Sequence, residues 1–596
     1  MARLSVHSIP VTDARNEETM HGFARRIEAT PPGQCALALQ LSLLEASALQ
    51  TCGKCVPCRD GLPQLAKLMR RIVDCEASPE DLGRLKTLAE FIRLGSDCAI
   101  GYDAAQMVLE SLTRFADEFK HHTEEQSCQK GIAQSVPCET FCPAHVDVPG
   151  YIALVAEGRS AEAVALIRKD NPFPTACGYV CEHPCEKRCR RTLIDAPINI
   201  RAIKKYACDQ AAADTVPTPK RQPDTGRTIA VIGGGPAGLT CAYFLALMGH
   251  TVELYEEKKH LGGMMRYGIP AYRFPRERLD EDIRAILGVG NINVHLESPV
   301  GTDEMKALSQ TCDAVFVAIG AHAAKKLRLP GIDAKGVISA VDMLRSIGDG
   351  NVAMDCVRTA VRAGAAEVNL VYRRRIEDMT ALKEEIESAV AEGVEMLPLQ
   401  APVSIEVDAS GACTALLMQP QMISAYSRGR PGVVNAQKPV ERLEADLIVA
   451  AVGQDVVSSP FEAFGMKTHW GAFTTDEFLA AEGFSNVFVG GDCQSGPTTV
   501  IKAVGAGKVA ARNIDEMLGF HHYLDCGVSA PPPRMNDRTP KGRVNLIERP
   551  VKFRKRDFNE VEIGMSSEEV QQECGRCLRC DCFGAGASCG GRIQYV

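Results

Sequence analysis

No apolar run in this chain approaches the ~20 residues that a membrane-spanning helix needs, and the polar amino-terminal segment has no signal-peptide core. Both absences point to a cytoplasmic protein. Basic charge is also lacking. Lys and Arg number 67 against 75 Asp and Glu, a formal net charge of −8, so nothing favours nucleic acid as a partner. What the chain has in excess is cysteine, 25 in 596 residues. A secreted disulfide scaffold would be short and carry a leader. Here most of the cysteines crowd into three groups near the two ends, a pattern that belongs to metal or iron–sulfur ligation in a long cytosolic chain.

The organising stretch is Arg227 to Glu256. The apolar run Ile229–Ile232 reads as a buried parallel strand. It meets Gly233-Gly234-Gly235-Pro236-Ala237-Gly238, a G-x-G-x-x-G turn opening a helix. There Gly233 turns the chain, Gly235 admits a pyrophosphate, and Gly238 lets helix and strand touch, while the helix N-terminus faces the phosphates. A second strand, Thr251–Tyr255, ends in Glu256, placed for a ribose hydroxyl. Strand, glycines, helix, strand and acid in this order make a dinucleotide site. Gly263 soon after, and Val489-Gly490-Gly491-Asp492 far downstream, resemble two-dinucleotide flavoproteins, in which such an Asp meets the flavin ribitol and phosphate. The expected cofactor is FAD. Gly320 ends the returning strand Ala314–Ile319, and Thr499-Val500 begins a helix whose N-terminus would face the flavin pyrimidine. The two-cysteine redox centre that disulfide reductases carry near this loop or in the second nucleotide domain is missing, which excludes dithiol chemistry.

The first cysteine group is Cys52-x2-Cys55-x2-Cys58 with Cys98 beyond a helical stretch. Three close thiolates plus a remote one suit a [4Fe–4S] cube, with zinc the rival. TCGKCVPCRDG, SDCAIG and LTRFADEFKHH resemble the C-terminal cluster domain of the NADH-binding flavoprotein subunit of complex I. The FMN- and NADH-binding part of that subunit is not represented, so the resemblance implies a partner subunit that supplies it.

The second group holds Cys128, Cys138 and Cys142, then Cys177, Cys181, Cys185 and Cys189. CPAHVDVPGYIALVAEG, DNPFPTACGYVCEHPCEKRC and APINIRAIKKYACD resemble the N-terminal iron–sulfur domain of the glutamate synthase small subunit, shared with dihydropyrimidine dehydrogenase and the large subunit of NADH-dependent ferredoxin:NADP oxidoreductase. The family implies two cubes. Here the C-x2-C pair before Cys138 is absent, only Cys128 stands upstream, and Lys204-Lys205 occupies the place where some relatives supply a Gln or Glu ligand. Lys is no ligand. The resemblance makes Cys177 a packing residue rather than a ligand.

The third group is Cys574-x2-Cys577-x2-Cys580, with Cys582 or Cys589 as fourth ligand. Close spacing strains a cube, which favours Cys589. Arg576 and Arg579 would raise the potential of such a cluster by their charge.

The second nucleotide domain departs from the family. A helix beginning at Asn351 to Asp355 and a strand ending in Arg373-Arg374-Arg375 are present, and the arginines suit the 2′-phosphate of NADP(H). The strand and Gly-rich loop that should precede Asn351 are missing, with only Gly348 and Gly350 left. Three readings stand: a segment missing from this sequence, a shortened loop over residues 346–350, or a lost nicotinamide site. The intact flanks favour the first.

The expected architecture is α/β, with two doubly wound dinucleotide-binding domains (FAD and NADP) preceded by two helical iron–sulfur domains. The expected boundaries are an N-terminal extension over 1–50, the complex I-like domain over 51–124, the glutamate synthase-like one over 125–208, and a linker over 209–226. The FAD domain takes 227–345 and 454–520, the nicotinamide domain 346–453, and a Cys-rich extension 521–596, whose prolines and basic run at Lys552–Arg556 read as an extended wrap over the surface. No acid–base pair stands out, and hydride transfer needs none. The resemblance implies an NADPH-linked flavoprotein subunit carrying FAD and two to four [4Fe–4S] clusters in a multisubunit, electron-bifurcating NAD/NADP transhydrogenase that also uses ferredoxin. Two alternatives remain: a relay and scaffold subunit without a working nicotinamide site, and a glutamate synthase small subunit.

Overall fold

A computed structural model describes residues 35–126, 136–325, 327–347, 353–427, 430–531 and 539–582. The chain divides into two compact units, one of residues 1–140, 532–535 and 579–596, the other of 141–531 and 536–578.

The first unit is a helical bundle of α1 (Ala36–Leu49), α2 (Leu62–Val73), α3 (Pro79–Gly95), α4 (Ala99–Arg114) and α5 (Ala116–Thr123). Helix α1 corrects the expected boundary at residue 50. Its Leu37, Leu41 and Leu44 recur at helical spacing and are buried in the same core as Leu65, Met69, Ile92 and Val108. Helix α3 starts on a capping box between Ser78 and Asp81.

The second unit opens with α6 (Val148–Ala156), α7 (Ser160–Arg168), α8 (Pro174–Val180) and α9 (Ile200–Gln210). The nucleotide region follows with β1 (Thr228–Ile232), α10 (Pro236–Leu247), β2 (Thr251–Tyr255), α11 (Arg276–Leu287), β3 (Ile292–His295) and β4 (Ala314–Val317). After β5 (Val337–Ser339) come α12 (Ala340–Ile347), α13 (Met354–Arg362), β6 (Asn369–Tyr372), α14 (Lys383–Glu392) and β7 (Glu395–Pro398). The rest is β8 (Gln400–Val407), β9 (Cys413–Ser427), β10 (Arg430–Asn435), β11 (Glu441–Glu444), β12 (Ile448–Ala450), β13 (Val487–Val489), α15 (Val500–Met517) and α16 (Ser567–Gly575).

Strands β13, β4, β1, β2 and β3 form one five-stranded sheet in that order, parallel throughout. Both faces are covered, so Ile229, Ala230 and Val231 are fully buried, as their continuous apolar run requires. Strands β8, β10 and β11 pair antiparallel with the long β9. In the nicotinamide half, among the described residues, β5 pairs only β12 and β6 pairs only β7, both parallel. Among the described residues no strand lies between α12 and α13, where the family's first strand is expected.

The segment after residue 520 is more ordered than a surface wrap. Ile547–Glu548 pairs antiparallel with Glu562–Ile563. Within the basic run, Arg554 is buried and donates through Nε to Glu392 at 3.0 Å.

Candidate functional site

The loop after β1 is shaped by contact distances that leave no room for side chains. A Cβ on Gly238 would lie 1.9 Å from the Gly233 carbonyl oxygen, so only glycine lets α10 start this close to the strand. A Cβ on Gly263, which has φ +52°, would lie 2.7 Å from the Gly235 Cα, so the two glycines face each other across a bare slot. No side chain caps α10, where Pro236 occupies the first turn followed by Ala237. The leading N–H groups therefore face outward, as a pyrophosphate needs. Glu256 is buried, and its two oxygens accept from the N–H groups of Gly234 (2.7 Å) and Lys258 (2.9 Å). Burial pushes its pKa up despite those two bonds. The carboxylate is thus fixed beside the glycine loop, with lone pairs remaining for hydroxyl donors.

Gly320 follows β4 with φ +68°. Asp492 follows β13, and its Oδ1 accepts from Thr498 N–H (3.0 Å) and Oγ1 (3.1 Å). Thr499 caps α15 by accepting from Lys502 N–H at 3.4 Å, with Val500 the first helical residue. Helix α15 crosses α10 so closely that a Cβ on Gly507 would lie 2.3 Å from the Ala237 carbonyl oxygen. The elements that carry the predicted flavin contacts thus converge on one end of the parallel sheet. The bare slot, the uncapped helix and the fixed acid fit a dinucleotide.

The same helix carries a second contact. A Cβ on Gly505 would lie 2.5 Å from the carbonyl oxygen of Pro143, the residue after Cys142. One turn on, Lys508 Nζ donates to Ala144 O at 3.0 Å. Gly505 is five residues from the start of α15, about 8 Å along the helix axis.

Cys142, Cys177, Cys181 and Cys185 are all buried. They come together because α8 and α9 touch at Gly178, where a Cβ would lie 2.9 Å from the Lys205 Cα. The buried Lys204 sits among them. Burial opposes its charge, but Cys177, Cys181, Cys142 and Cys185 outweigh that and raise its pKa. The Cys177 thiol and then Lys204 hold Cys181 below its ordinary value against the effect of burial. Cys177, which the resemblance makes a packing residue rather than a ligand, is buried beside Cys181. Cys189 is half-buried on the loop beyond.

In the first unit, Cys58 lies in a single π-turn, Pro57–Gly61, leading into α2, and Cys98 is the N-cap of α4. Burial, then Cys55, Cys98 and Cys52, push the Cys58 thiol up to about 11, so all four thiols act on one spot. Backbone N–H groups of Asp97 and Cys58 lower Cys55. Two helix starts aimed at four clustered thiols suit an anionic cube. Cys138 lies in the short helix Pro137–Thr140 of this unit.

At the tail, Cys574 and Cys577 are buried. The charge expected of the two arginines there is compensated. Arg576 is fully buried and pairs with Glu573 (2.6 Å) and Asp195 (2.9 Å), and Arg579 pairs with Asp581 at 2.6 Å. Neither is a free cation beside a cluster, because each charge was buried only together with a carboxylate. Cys580 belongs to a short 3-10 turn. Cys128, Cys589 and Asn351 lie outside the described residues.

The nicotinamide half has a different character. Asp355 is 1% exposed and its carboxylate is taken by Arg273 at 2.7 Å. Arg374 donates to the Pro431 carbonyl at 2.9 Å, and Arg375 pairs with Asp378 at 2.9 Å. Arg373 is exposed. Sequence reasoning missed Glu392, fully buried beneath Arg358, Arg362 and Arg554. No motif signals it, since its partners come from two separate segments, α13 and the stretch around Arg554.

The model of the pyridine nucleotide-disulphide oxidoreductase family matches residues 227–507. That of the NADH-ubiquinone oxidoreductase-F iron–sulfur binding region matches 38–122, and that of the 4Fe-4S domain II of dihydropyrimidine dehydrogenase matches 103–216. The chain is 31% identical to the β subunit of the NADP(+)-dependent formate dehydrogenase of Moorella thermoacetica, over 92% of this chain and 91% of that one. It is 32% identical to the β subunit of the NADPH-Fe(3+) oxidoreductase of Geobacter sulfurreducens, over 89% and 88%. The small chain of the NADPH glutamate synthase of Azospirillum brasilense is 28% identical over 71% of this chain and 92% of its own length. The alignment with the Moorella subunit runs over 651 positions, longer than this chain of 596 residues, so that relative carries stretches this chain lacks. FAD, NADP(H) and 4Fe–4S clusters are the cofactors that these matches imply.

Proposed function

Because the chain belongs to the glutamate synthase small chain-like iron–sulfur flavoproteins that carry an NADH-ubiquinone oxidoreductase-F-type cluster region, the family of the Moorella and Geobacter β subunits, we propose that it passes electrons between NADPH and its iron–sulfur clusters through FAD, as one subunit of a larger complex. Bound FAD exchanges a hydride with the nicotinamide and single electrons with the clusters. The chain's own residues hold the reactants: the Gly233–Gly238 loop and Glu256 take the adenine-side phosphates and ribose, and Asp492 with the start of α15 takes the flavin side. The observation that carries this reading is the packing of α15 on Pro143 and Ala144. The helix that begins at the flavin end touches the residues after Cys142, which brings a cluster ligand within a short path of the flavin.

We further infer that the complex is an electron-bifurcating NAD/NADP transhydrogenase, with ferredoxin and a subunit that binds FMN and NADH as partners. The oxidoreductase-F-type region supports this, because it is a relay that needs a neighbour to feed it. A second reading is favoured by one observation, that among the described residues no strand lies between α12 and α13: a relay subunit with FAD and clusters but no working nicotinamide site. Anaerobic mixing with NADPH separates the two. Rapid bleaching of the flavin supports the first. Full FAD occupancy without bleaching overturns it and leaves the second.

A further inference from the structure

Helix α16 packs against α6 and α9, the helices of the second iron–sulfur region. The contact is built from buried charges. Glu573, 0% exposed, accepts from the N–H groups of Asn199 (2.7 Å) and Val544 (2.8 Å). Arg576, also 0% exposed, reaches across to Asp195 Oδ1 (2.9 Å) and to the Ala196 carbonyl (2.6 Å). From the other side Arg191 Nη1 donates to the Arg576 carbonyl at 3.2 Å, and its Nε holds Asp195 at 2.8 Å. Residues 191–199 and 573–576 are therefore clamped together at both ends. Breaking either buried pair leaves an uncompensated charge, so the register of the two segments is closely specified.

Cysteines flank this clamp. Cys189 precedes Arg191 by two residues, while Cys574 and Cys577 stand on either side of Arg576. Cys574 and Cys577 are 1% and 9% exposed, joined by a turn in which the Cys577 N–H donates to the Cys574 carbonyl at 3.1 Å. None of the three is in a disulfide. Their neighbours elsewhere are already grouped: Cys142, Cys177, Cys181 and Cys185 surround Lys204.

We propose that Cys189, Cys574 and Cys577 ligate one [4Fe–4S] cube, so that the C-terminal tail completes a cluster of the second iron–sulfur region instead of carrying one of its own. The C-x2-C pair that the glutamate synthase-like pattern places before Cys138 is missing, and the tail supplies a C-x2-C pair to the same region from the far end of the chain. The proposal rests on the reading of this chain as an iron–sulfur protein with a cluster at the tail, and it moves the remote ligand from Cys589 to Cys189.

The test uses the full chain, loaded anaerobically with iron and sulfide, with iron and FAD counted per chain. Cys577→Ser removes about four irons if the tail holds a cube. Unchanged iron in that variant sinks the tail-cluster reading itself. Cys189→Ser is expected to remove the same four, and the Cys189→Ser/Cys577→Ser double variant no more than either alone, while Cys589→Ser keeps the full content. The proposal is overturned if Cys189→Ser keeps all its iron, or if the double variant loses about eight, which would put Cys189 in another cube. FAD retained at the wild-type level shows that each variant has folded. Should a variant lose FAD as well, the wild-type chain decides. After oxidative removal of its clusters, peptide mapping is expected to find Cys189 joined to Cys574 or Cys577. Recovery of Cys189 joined only to Cys181 or Cys185, or as a free thiol, overturns the assignment.

Discussion

In the FAD half, five parallel strands form one sheet with β1 at its centre, and Ile229, Ala230 and Val231 are buried completely. In the nicotinamide half the parallel strands fall into two separate pairs, β5 with β12 and β6 with β7. Where the first half is held by apolar burial, the second leans on charge: Glu392 lies under three guanidinium groups and Asp355 under Arg273. Among the described residues no strand joins the two pairs. A parallel sheet buries apolar runs on both faces only when its strands are contiguous. The nicotinamide half has only small apolar clusters, and buried ion pairs stand beside them. One of them, Arg554, comes from the C-terminal segment, so that segment braces the weaker half.

The contrast yields predictions. The largest effect is expected at Gly238. A side chain there meets the Gly233 carbonyl at 1.9 Å, so Gly238→Val should abolish FAD binding, read as flavin absorbance per chain. Retention of flavin would mean that the loop is not the site. Next comes Glu392→Gln, which leaves buried arginines without their carboxylate and should cost about 3–5 kcal/mol. Chemical denaturation should show the loss, with hydrogen exchange rising over residues 354–398 while the FAD sheet stays protected. Equal rises in both halves would erase the contrast.

Acid should act on the same group. Burial alone would raise the Glu392 pKa, but bonds from Arg362 and Arg358 bring it from the ordinary 4.5 down to about 2. A depressed carboxylate contributes stability that is full above its unfolded value and is lost as pH falls through the folded one. Stability is therefore expected to decline below pH 4.5 towards about 2, with a shallower slope in Glu392→Gln, measured by denaturation at stepped pH. The smallest effect belongs to the exposed Arg373. Arg373→Ala should weaken NADPH binding roughly tenfold, the loss of one charge-assisted bond, and leave NADH binding and stability unaltered. No difference between the two nucleotides would remove Arg373 from the phosphate site.

Local pattern was enough to place the glycine loop, Glu256, β1, α10 and the thiols of the first unit. Each depends on backbone conformation and spacing within a few residues or one helical hairpin, where chain connectivity already limits the geometry. The ion pairs were illegible for the opposite reason. Glu392 and Arg554 are 162 positions apart, and nothing in either neighbourhood marks the other. The same holds for Arg576, which reads as a free cation beside cysteines until its contact with Asp195 is seen. That helix α1 packs into the bundle core likewise has no mark in its own weakly helical sequence.

The sequence by itself determined the class of protein: a dinucleotide fold flanked by thiolate clusters, because glycine turns and close cysteine spacings are short-range constraints. Only the tertiary structure decided which distant segments meet beside the cysteine groups. Gly505 against Pro143, and Arg191 against Arg576, join residues hundreds of positions apart. Such contacts arise from close packing and from the need to pair every buried charge, conditions that hold over the whole fold and leave no local trace in the chain.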